Sequence, residues 1–146
     1  MTVAYRLVHA TPEAVFGVLA DPWTYPSWVV GASRARAVEG EWPRPGAALH
    51  HSFGIWPAVI DDLTELREWD PPRHAAMEAH GSLLGVARVE FDVKPRAEGC
   101  VVRMFEDAIS GPGMLVPKLA RDVLGFPRTV EALKRLAFLA EKKEQP

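Results

Sequence analysis

The stretch of sequence that decides the fold covers residues 11–28 and reads TPEAVFGVLADPWTYPSW. Thr11 and Pro12 open it with the pattern of a helix start, in which the threonine hydroxyl caps the helix and proline takes the first helical position. Apolar residues at helical spacing then predict a helix over about 12–20. An Asp-Pro pair ends this helix and begins another over 23–28. The stretch therefore predicts two short helices early in the chain.

The composition limits the kinds of protein that this chain can be. It has 146 residues, of which 48% are hydrophobic, a net charge of -2 and one cysteine, Cys100. This length fits a single domain over residues 1–146, and the balanced charge provides no basic field for nucleic acid. A lone cysteine excludes an internal disulfide framework and a zinc site built from several thiolates.

No segment has the features of a membrane span or an export signal. No apolar run approaches the ~18–20 residues that cross a bilayer. The N-terminal segment MTVAYRLVHATPE lacks a basic region followed by an apolar one. We therefore expect a cytoplasmic protein without stable membrane insertion and without a nucleic-acid partner, present as a monomer or a homodimer.

Strand patterns flank the two helices on both sides. Residues 2–10 alternate apolar and polar side chains and predict a first strand. From 32 to 110, apolar alternation is interrupted at short intervals by proline and glycine turns, which favours an antiparallel meander over crossover helices. The six strands predicted there are 32–39, 46–54, 57–69, 73–80, 84–95 and 99–108.

After Ser110-Gly111-Pro112-Gly113 the periodicity changes to that of helices. A short helix is expected from Pro117 to near Gly125, and a long one over 127–143. Phe138 falls on the polar side of the long helix and is expected to be exposed. The opposite side forms one apolar arc, made of Phe126, Val130, Leu133, Leu136, Ala137 and Ala140.

This order of elements defines an α+β fold. Seven antiparallel strands in one sheet twist and curl, and the long amphipathic C-terminal helix then lies across the concave face. The expected architecture is a curved seven-stranded antiparallel sheet around that helix, with the two short helices after the first strand.

Short motifs occur along the chain in the order and at the spacings typical of one protein family. They are Thr11-Pro12-Glu13-Ala14-Val15-Phe16, Leu19-Ala20-Asp21-Pro22 with Trp28, Trp42-Pro43 with Pro45-Gly46, His50-His51, Asp62 with Thr64, Glu68 with Asp70-Pro71-Pro72, Gly85 with Ala87-Arg88-Val89, Glu106-Asp107, Ser110-Gly111-Pro112, and Glu131 with Leu133 and Arg135-Leu136-Ala137. Together they resemble the START-like (SRPBCC) superfamily, polyketide cyclase/dehydrase type, over essentially the whole chain.

The resemblance implies a helix-grip fold with an elongated cavity between the sheet and the C-terminal helix. Such a cavity binds apolar or amphipathic small molecules, although the same fold hosts carriers, receptors and enzymes. The stretch Gly125-Phe126-Pro127 departs from the resemblance, because similar chains have continuous helix there. It predicts a break that shapes one end of the cavity.

Strand parity selects the residues expected to face the cavity. Glu68 and Glu106 fall at the ends of otherwise apolar inward faces, either inside the cavity with raised pKa values or at its rim in water. His51 shares parity with neighbouring apolar residues, whereas His50 does not. The candidate ligand-binding residues are Trp28, His51, Phe53, Leu66, Glu68, Met77, Val89, Phe91, Met104, Glu106 and Leu133.

Aromatic residues concentrate in the short helices and neighbouring loops, where they either gate a cavity mouth or pack loops onto the sheet. They are Trp23, Tyr25, Trp28, Trp42 and Trp56.

The sequence contains no motif for a metal, a nucleotide cofactor or a catalytic nucleophile. Asp61-Asp62 and the remaining histidines lack compact ligand spacing. No nucleophile elbow, phosphate loop or dinucleotide fingerprint occurs. We therefore expect no metal and no cofactor.

Three functions remain open from the sequence. The first is binding of a hydrophobic or aromatic small molecule, lipid- or polyketide-like, in the internal cavity. The second is a polyketide aromatase/cyclase-type enzyme that uses His51 and Glu106 as an acid–base pair. The third is a protein-partner module, for which Phe138 and an exposed apolar patch would be the contact. Whether the chain is an enzyme is not decided at this level.

Overall fold

A computed structural model of the chain describes residues 1–55, 58–81 and 85–144. The helices are α1 (Pro12–Leu19), α2 (Tyr25–Trp28) and α3 (Lys118–Glu144), with single 3-10 turns at Pro22–Thr24 and Pro112–Leu115. The strands are β1 (Thr2–Val8), β2 (Ala32–Glu39), β3 (Ala48–Ile55), β4 (Ala58–Asp70), β5 (His74–Gly81), β6 (Gly85–Arg96) and β7 (Gly99–Ser110).

The strands form one antiparallel sheet in the order β1-β7-β6-β5-β4-β3-β2. Strands β2 to β7 follow each other as hairpins, and β1 closes the order by pairing with β7. The curved seven-stranded sheet, the early short helices and the long C-terminal helix confirm the predicted α+β, helix-grip architecture.

Helix α1 begins as its sequence predicts. The Thr11 hydroxyl accepts a hydrogen bond from the Ala14 amide at 3.2 Å, and Pro12 occupies the first turn. The helix buries Val15, Phe16, Val18 and Leu19. Between α2 and β2 the chain turns at Gly31, whose φ of 95° suits glycine and few other residues.

Helix α3 is continuous through Pro127, so the predicted break at Gly125–Pro127 is wrong. Proline lacks an amide proton, and the Val123 carbonyl therefore loses its helical donor. Val123 and Pro127 both lie on the exposed side of the helix, where solvent reaches the freed carbonyl. Gly125 lets the helix approach β1, because an added Cβ would lie 3.0 Å from the Thr2 hydroxyl oxygen.

The burial of α3 differs between its two halves. Thr129, Ala132, Leu133, Leu136, Ala137 and Ala140 are buried. Phe126 and Val130, which the sequence placed on the same buried arc, are 50% and 39% exposed. That placement is wrong because no other described element covers this part of the helix. Phe138 is exposed, as predicted.

The core lies between the concave face of the sheet, α1 and the C-terminal half of α3. None of the described helices is both long enough and apolar enough to span a bilayer.

Candidate functional site

A small cavity lies inside the fold and is called here the inner cavity. Its volume is about 40 Å³, which is room for a few water-sized groups. Helix α2 and its following turn form one wall, the sheet forms another, and the middle of α3 closes it. The lining residues are Tyr25, Trp28, Val29, Val30, Phe53, Thr64, Met77, Ala79, Val89, Met104, Glu106, Arg128 and Ala132.

A larger space opens beside it under the N-terminal half of α3 and is called the outer pocket. Its volume is about 310 Å³, within the range of small-molecule sites. Its walls are mostly apolar. They come from the ends of β6 and β7, the start of β1 and α3, and comprise Met1, Thr2, Gly85, Val86, Ala87, Glu106, Asp107, Ala108, Gly113, Val116, Arg121, Leu124, Gly125 and Arg128.

An ion pair stands where the two spaces meet. Arg128 of α3 donates from Nη1 to Oε1 of Glu106 on β7, and both residues line both spaces. Thr129 donates to Oε2 of Glu106 at 3.3 Å, and the Nε of Arg128 donates to the Val30 carbonyl at 3.3 Å. A ligand that extends from the outer pocket into the inner cavity must therefore pass this pair.

Three polar side chains form a hydrogen-bonded chain in the interior. The Tyr25 hydroxyl lies 2.7 Å from Oγ1 of Thr64, and Nε2 of His51 lies 2.8 Å from the same oxygen. The imidazole of His51 stacks on the Tyr25 ring at 4.7 Å between centroids. Tyr25 and Thr64 line the inner cavity, while His51 lies behind them.

Burial sets the protonation states of this chain. It raises the pKa of Tyr25 to about 12 and lowers the pKa of His51 to about 4, because an apolar environment disfavours the charged form of each. At neutral pH both side chains are uncharged, so each donates or accepts without changing the charge of the site.

The sequence profile described as polyketide cyclase / dehydrase and lipid transport matches residues 2–137. The chain belongs to this family. No curated protein matches it.

Solved structures from several sources share the fold. Protein NE0264 from Nitrosomonas europaea is 17% identical with a TM-score of 0.72, and the alignment covers 97% of this chain and 94% of that one. The di-domain ARO/CYC protein StfQ from the steffimycin biosynthetic pathway is 15% identical with a TM-score of 0.72, over 97% of this chain and 50% of that one. Ara h 8.0201 is 12% identical with a TM-score of 0.72, over 96% of both chains. At these identities the likeness concerns the fold.

Apart from His51 and Glu68, the structure divides the candidate ligand-binding residues into two groups. Leu66, Phe91 and Leu133 are buried in the core and do not line the inner cavity. Six of the candidates do line it: Trp28, Phe53, Met77, Val89, Met104 and Glu106.

The candidate acid–base pair is not brought together. Nε2 of His51 contacts Thr64, and Nδ1 has no partner among the described residues. Glu106 is held by Arg128 and Thr129 instead. The described part of the chain therefore contains no hydrogen bond between His51 and a carboxylate.

The expected inward position of Glu68 is wrong. The register of β4 against β5 shifts between Leu66 and Glu68, so one extra residue reverses the alternation of faces. Glu68 emerges on the exposed side of the sheet, where it contacts His74 at 2.7 Å and Arg88 at 3.3 Å. The hydrogen bond from His74 is the main reason that the pKa of Glu68 lies below its usual value.

The polar lining residues that sequence reasoning did not select as candidates are Thr64 and Arg128, together with Tyr25 in its interior role. Thr64 shares parity with Leu66 on β4, a signal that was available. Arg128 sits beside the predicted helix break, and only the continuous helix shows where its side chain goes.

The tryptophans divide between packing and lining. Trp28 is buried and packs edge-on to Phe91. Trp42 donates from Nε1 to the Leu19 carbonyl at 3.0 Å, which ties its loop to α1. Trp23 is 58% exposed, and Trp56 lies outside the described residues.

Two groups on the sheet carry enough carboxylate and imidazole atoms to hold a cation: Glu65, Glu78 and His80, and Glu68, His74 and Glu90. Each group already has an arginine beside its carboxylates. Arg67 pairs with both carboxylates of the first group, and Arg88 with both of the second. These guanidinium groups already neutralise the carboxylates that a metal ion would need as ligands.

Proposed function

We propose that the chain binds a hydrophobic or aromatic small molecule, lipid- or polyketide-like, with its apolar body in the outer pocket and a polar end in the inner cavity. The observation that carries this proposal is that the same two residues, Glu106 and Arg128, line both spaces. The outer pocket supplies apolar area for affinity. The inner cavity supplies a few polar groups for orientation.

The inner cavity alone is too small for such a ligand, because it has about a quarter of the volume of the engineered void of about 150 Å³ that binds benzene. A ligand of this class therefore fills the outer pocket first. Its end enters the inner cavity past the Arg128–Glu106 pair, whose charges cancel each other and leave the passage neutral.

Binding is tested by titration with anilinonaphthalene sulfonate, followed by displacement with fatty acids and aromatic polyketide-like phenols. Ala108→Trp places a large ring in the outer pocket and should abolish displaceable binding. Ala97→Trp, in the exposed β6–β7 turn, is the matched control and should bind as the unmodified protein does. Equal binding by both variants would overturn the proposal.

The enzymatic alternative has less support in its original form. A His51–Glu106 acid–base pair requires the two groups to act on one substrate together, and here they have separate partners. Replacing both His51 and Glu106 without loss of binding would be consistent with a carrier.

A further inference from the structure

The hydrogen-bonded chain of His51, Thr64 and Tyr25 can run in two directions, and its surroundings favour one of them. Two hydrogen bonds join three side chains, and the Thr64 oxygen takes part in both. Whether the chain keeps a hydroxyl proton for a ligand depends on the tautomer of His51, because a neutral imidazole carries its proton on only one of its two nitrogens.

The surroundings of His51 select the tautomer. Nδ1 is buried and has no hydrogen-bond partner among the described residues. A buried N–H without an acceptor is rarer and more costly than a buried acceptor without a donor. The proton therefore belongs on Nε2, which donates it to the Thr64 hydroxyl oxygen at 2.8 Å.

The first bond favours one direction for the second, although the Thr64 oxygen has a lone pair for each neighbour. Thr64 accepts from His51, and its own proton is available for the Tyr25 oxygen 2.7 Å away. A chain in which each member accepts one bond and donates the next is strengthened because its bonds polarise each other. Tyr25 then keeps its own O–H proton, and it has no other hydrogen-bond partner among the described side chains.

We infer that Tyr25 presents its O–H as a donor to the inner cavity and selects ligands that end in a neutral carbonyl acceptor, such as a ketone, ester or amide oxygen. The inference rests on the proposed function only in assuming that a ligand end occupies this cavity. The remaining lining is apolar apart from Thr64, the indole N–H of Trp28 and the Arg128–Glu106 pair, in which each charge already has its partner.

A neutral acceptor suits the site better than a charged one. The Arg128 guanidinium already balances the charge of Glu106, so a ligand carboxylate would add a second negative charge to a cavity whose described lining offers no further cation. A carbonyl oxygen needs one donor only, and Tyr25 supplies it.

The direction of the chain is tested without any ligand. Long-range ¹H–¹⁵N spectra of the labelled protein distinguish the two tautomers of each histidine, and contacts to the Thr64 methyl group identify His51. We expect the proton on Nε2. A proton on Nδ1 would leave no spare O–H in the chain and would overturn the inference.

The donor is tested with acetophenone and α-methylstyrene, which have nearly the same shape and differ in having a carbonyl oxygen or a methylene group. NMR titration should show that the unmodified protein prefers acetophenone by about threefold to tenfold, as one net hydrogen bond gives. Tyr25→Phe should remove most of this preference. Tyr5→Phe, which deletes the same atom from the exposed tyrosine of β1, should retain it.

The outcomes separate this inference from the proposed function. Preference for acetophenone that is lost only in Tyr25→Phe supports both. Equal binding of the two compounds to the unmodified protein overturns the donor role and leaves the binding function standing. If neither compound binds, the proposed function fails for small aromatic ligands, and the donor role fails with it.

Discussion

Both halves of α3 carry large apolar side chains, but their surroundings are opposite. In the C-terminal half, Leu133 and Leu136 are each 1% exposed. In the N-terminal half, Leu119 and Leu124 are 77% and 74% exposed. The C-terminal half packs into the core, and the N-terminal half covers the outer pocket. An amphipathic pattern therefore predicts a helix, but not which stretch of it is covered.

The largest expected effect compares the same substitution in the two halves. Leu136→Ala removes a fully buried side chain and should lower the free energy of unfolding by about 2–5 kcal/mol. Leu119→Ala, on the exposed half, should change it by less than about 0.5 kcal/mol. Urea unfolding of both variants measures the difference. Similar losses would mean that the exposed half is covered in solution.

The free energy of unfolding should also depend on pH, through His51 in the interior that the buried half of α3 helps to close. The pKa of His51 is lowered from its ordinary value of 6.5 to about 4 by burial, partly opposed by Asp62. Below pH 6.5 the unfolded chain takes up a proton that the folded protein refuses, so stability falls as pH drops from 6.5 to about 4. We expect this group to contribute roughly 2–3 kcal/mol over that window.

Unfolding measured across this range isolates the contribution. His51→Gln should flatten the part of the curve between about pH 6.5 and 4, whereas His50→Gln, a partly exposed neighbour paired with Glu39, should not. If both variants keep the slope of the unmodified protein, His51 is not held neutral.

The Arg128–Glu106 pair joins α3 to β7 at the point where the two halves of the helix meet. Glu106→Gln leaves the guanidinium without its counter-ion in a partly buried place and should cost about 1–2 kcal/mol in urea unfolding. Adding Arg128→Met should restore part of the loss, because no unpaired charge then remains. A double variant that is no more stable than the single one would show that the pair stabilises by packing alone.

The smallest effect concerns the point where the exposed half meets the sheet. Gly125→Ala improves helix propensity by up to about 1 kcal/mol, but its Cβ would lie 3.0 Å from the Thr2 hydroxyl. In a Thr2→Ala background the gain should appear in thermal unfolding. In the unmodified protein it should be smaller, and equal gains in both would place the helix farther from β1.

Local sequence signals predicted most of the fold and the apolar part of the site. Strand parity placed Met77, Val89 and Met104 on the cavity wall, because alternation is a property of each strand alone. It failed at Glu68, where an extra residue in β4 reverses the faces and only the pairing with β5 reveals it. A bulge leaves no clear mark in a single strand's pattern.

The polar part of the site was harder to predict for a different reason. His51 was expected to face inward, but its partner Thr64 became evident only when β3 and β4 were paired. Arg128 was missed because proline at 127 predicts the start of a separate helix, whereas the helix is continuous and carries the arginine to Glu106. Such contacts depend on long-range packing.

The pairing of β1 with β7 has a consequence for how the sheet is assembled. Strands β2 to β7 join neighbours in sequence, whereas β1 joins residues 2–8 to residues 100–106. Local hairpins close quickly, and a contact of this sequence separation closes slowly. During synthesis β1 therefore remains without its strand partner until β7 has been made. Ala4 and Val8, buried in the finished fold, lack their β7 partners throughout that interval.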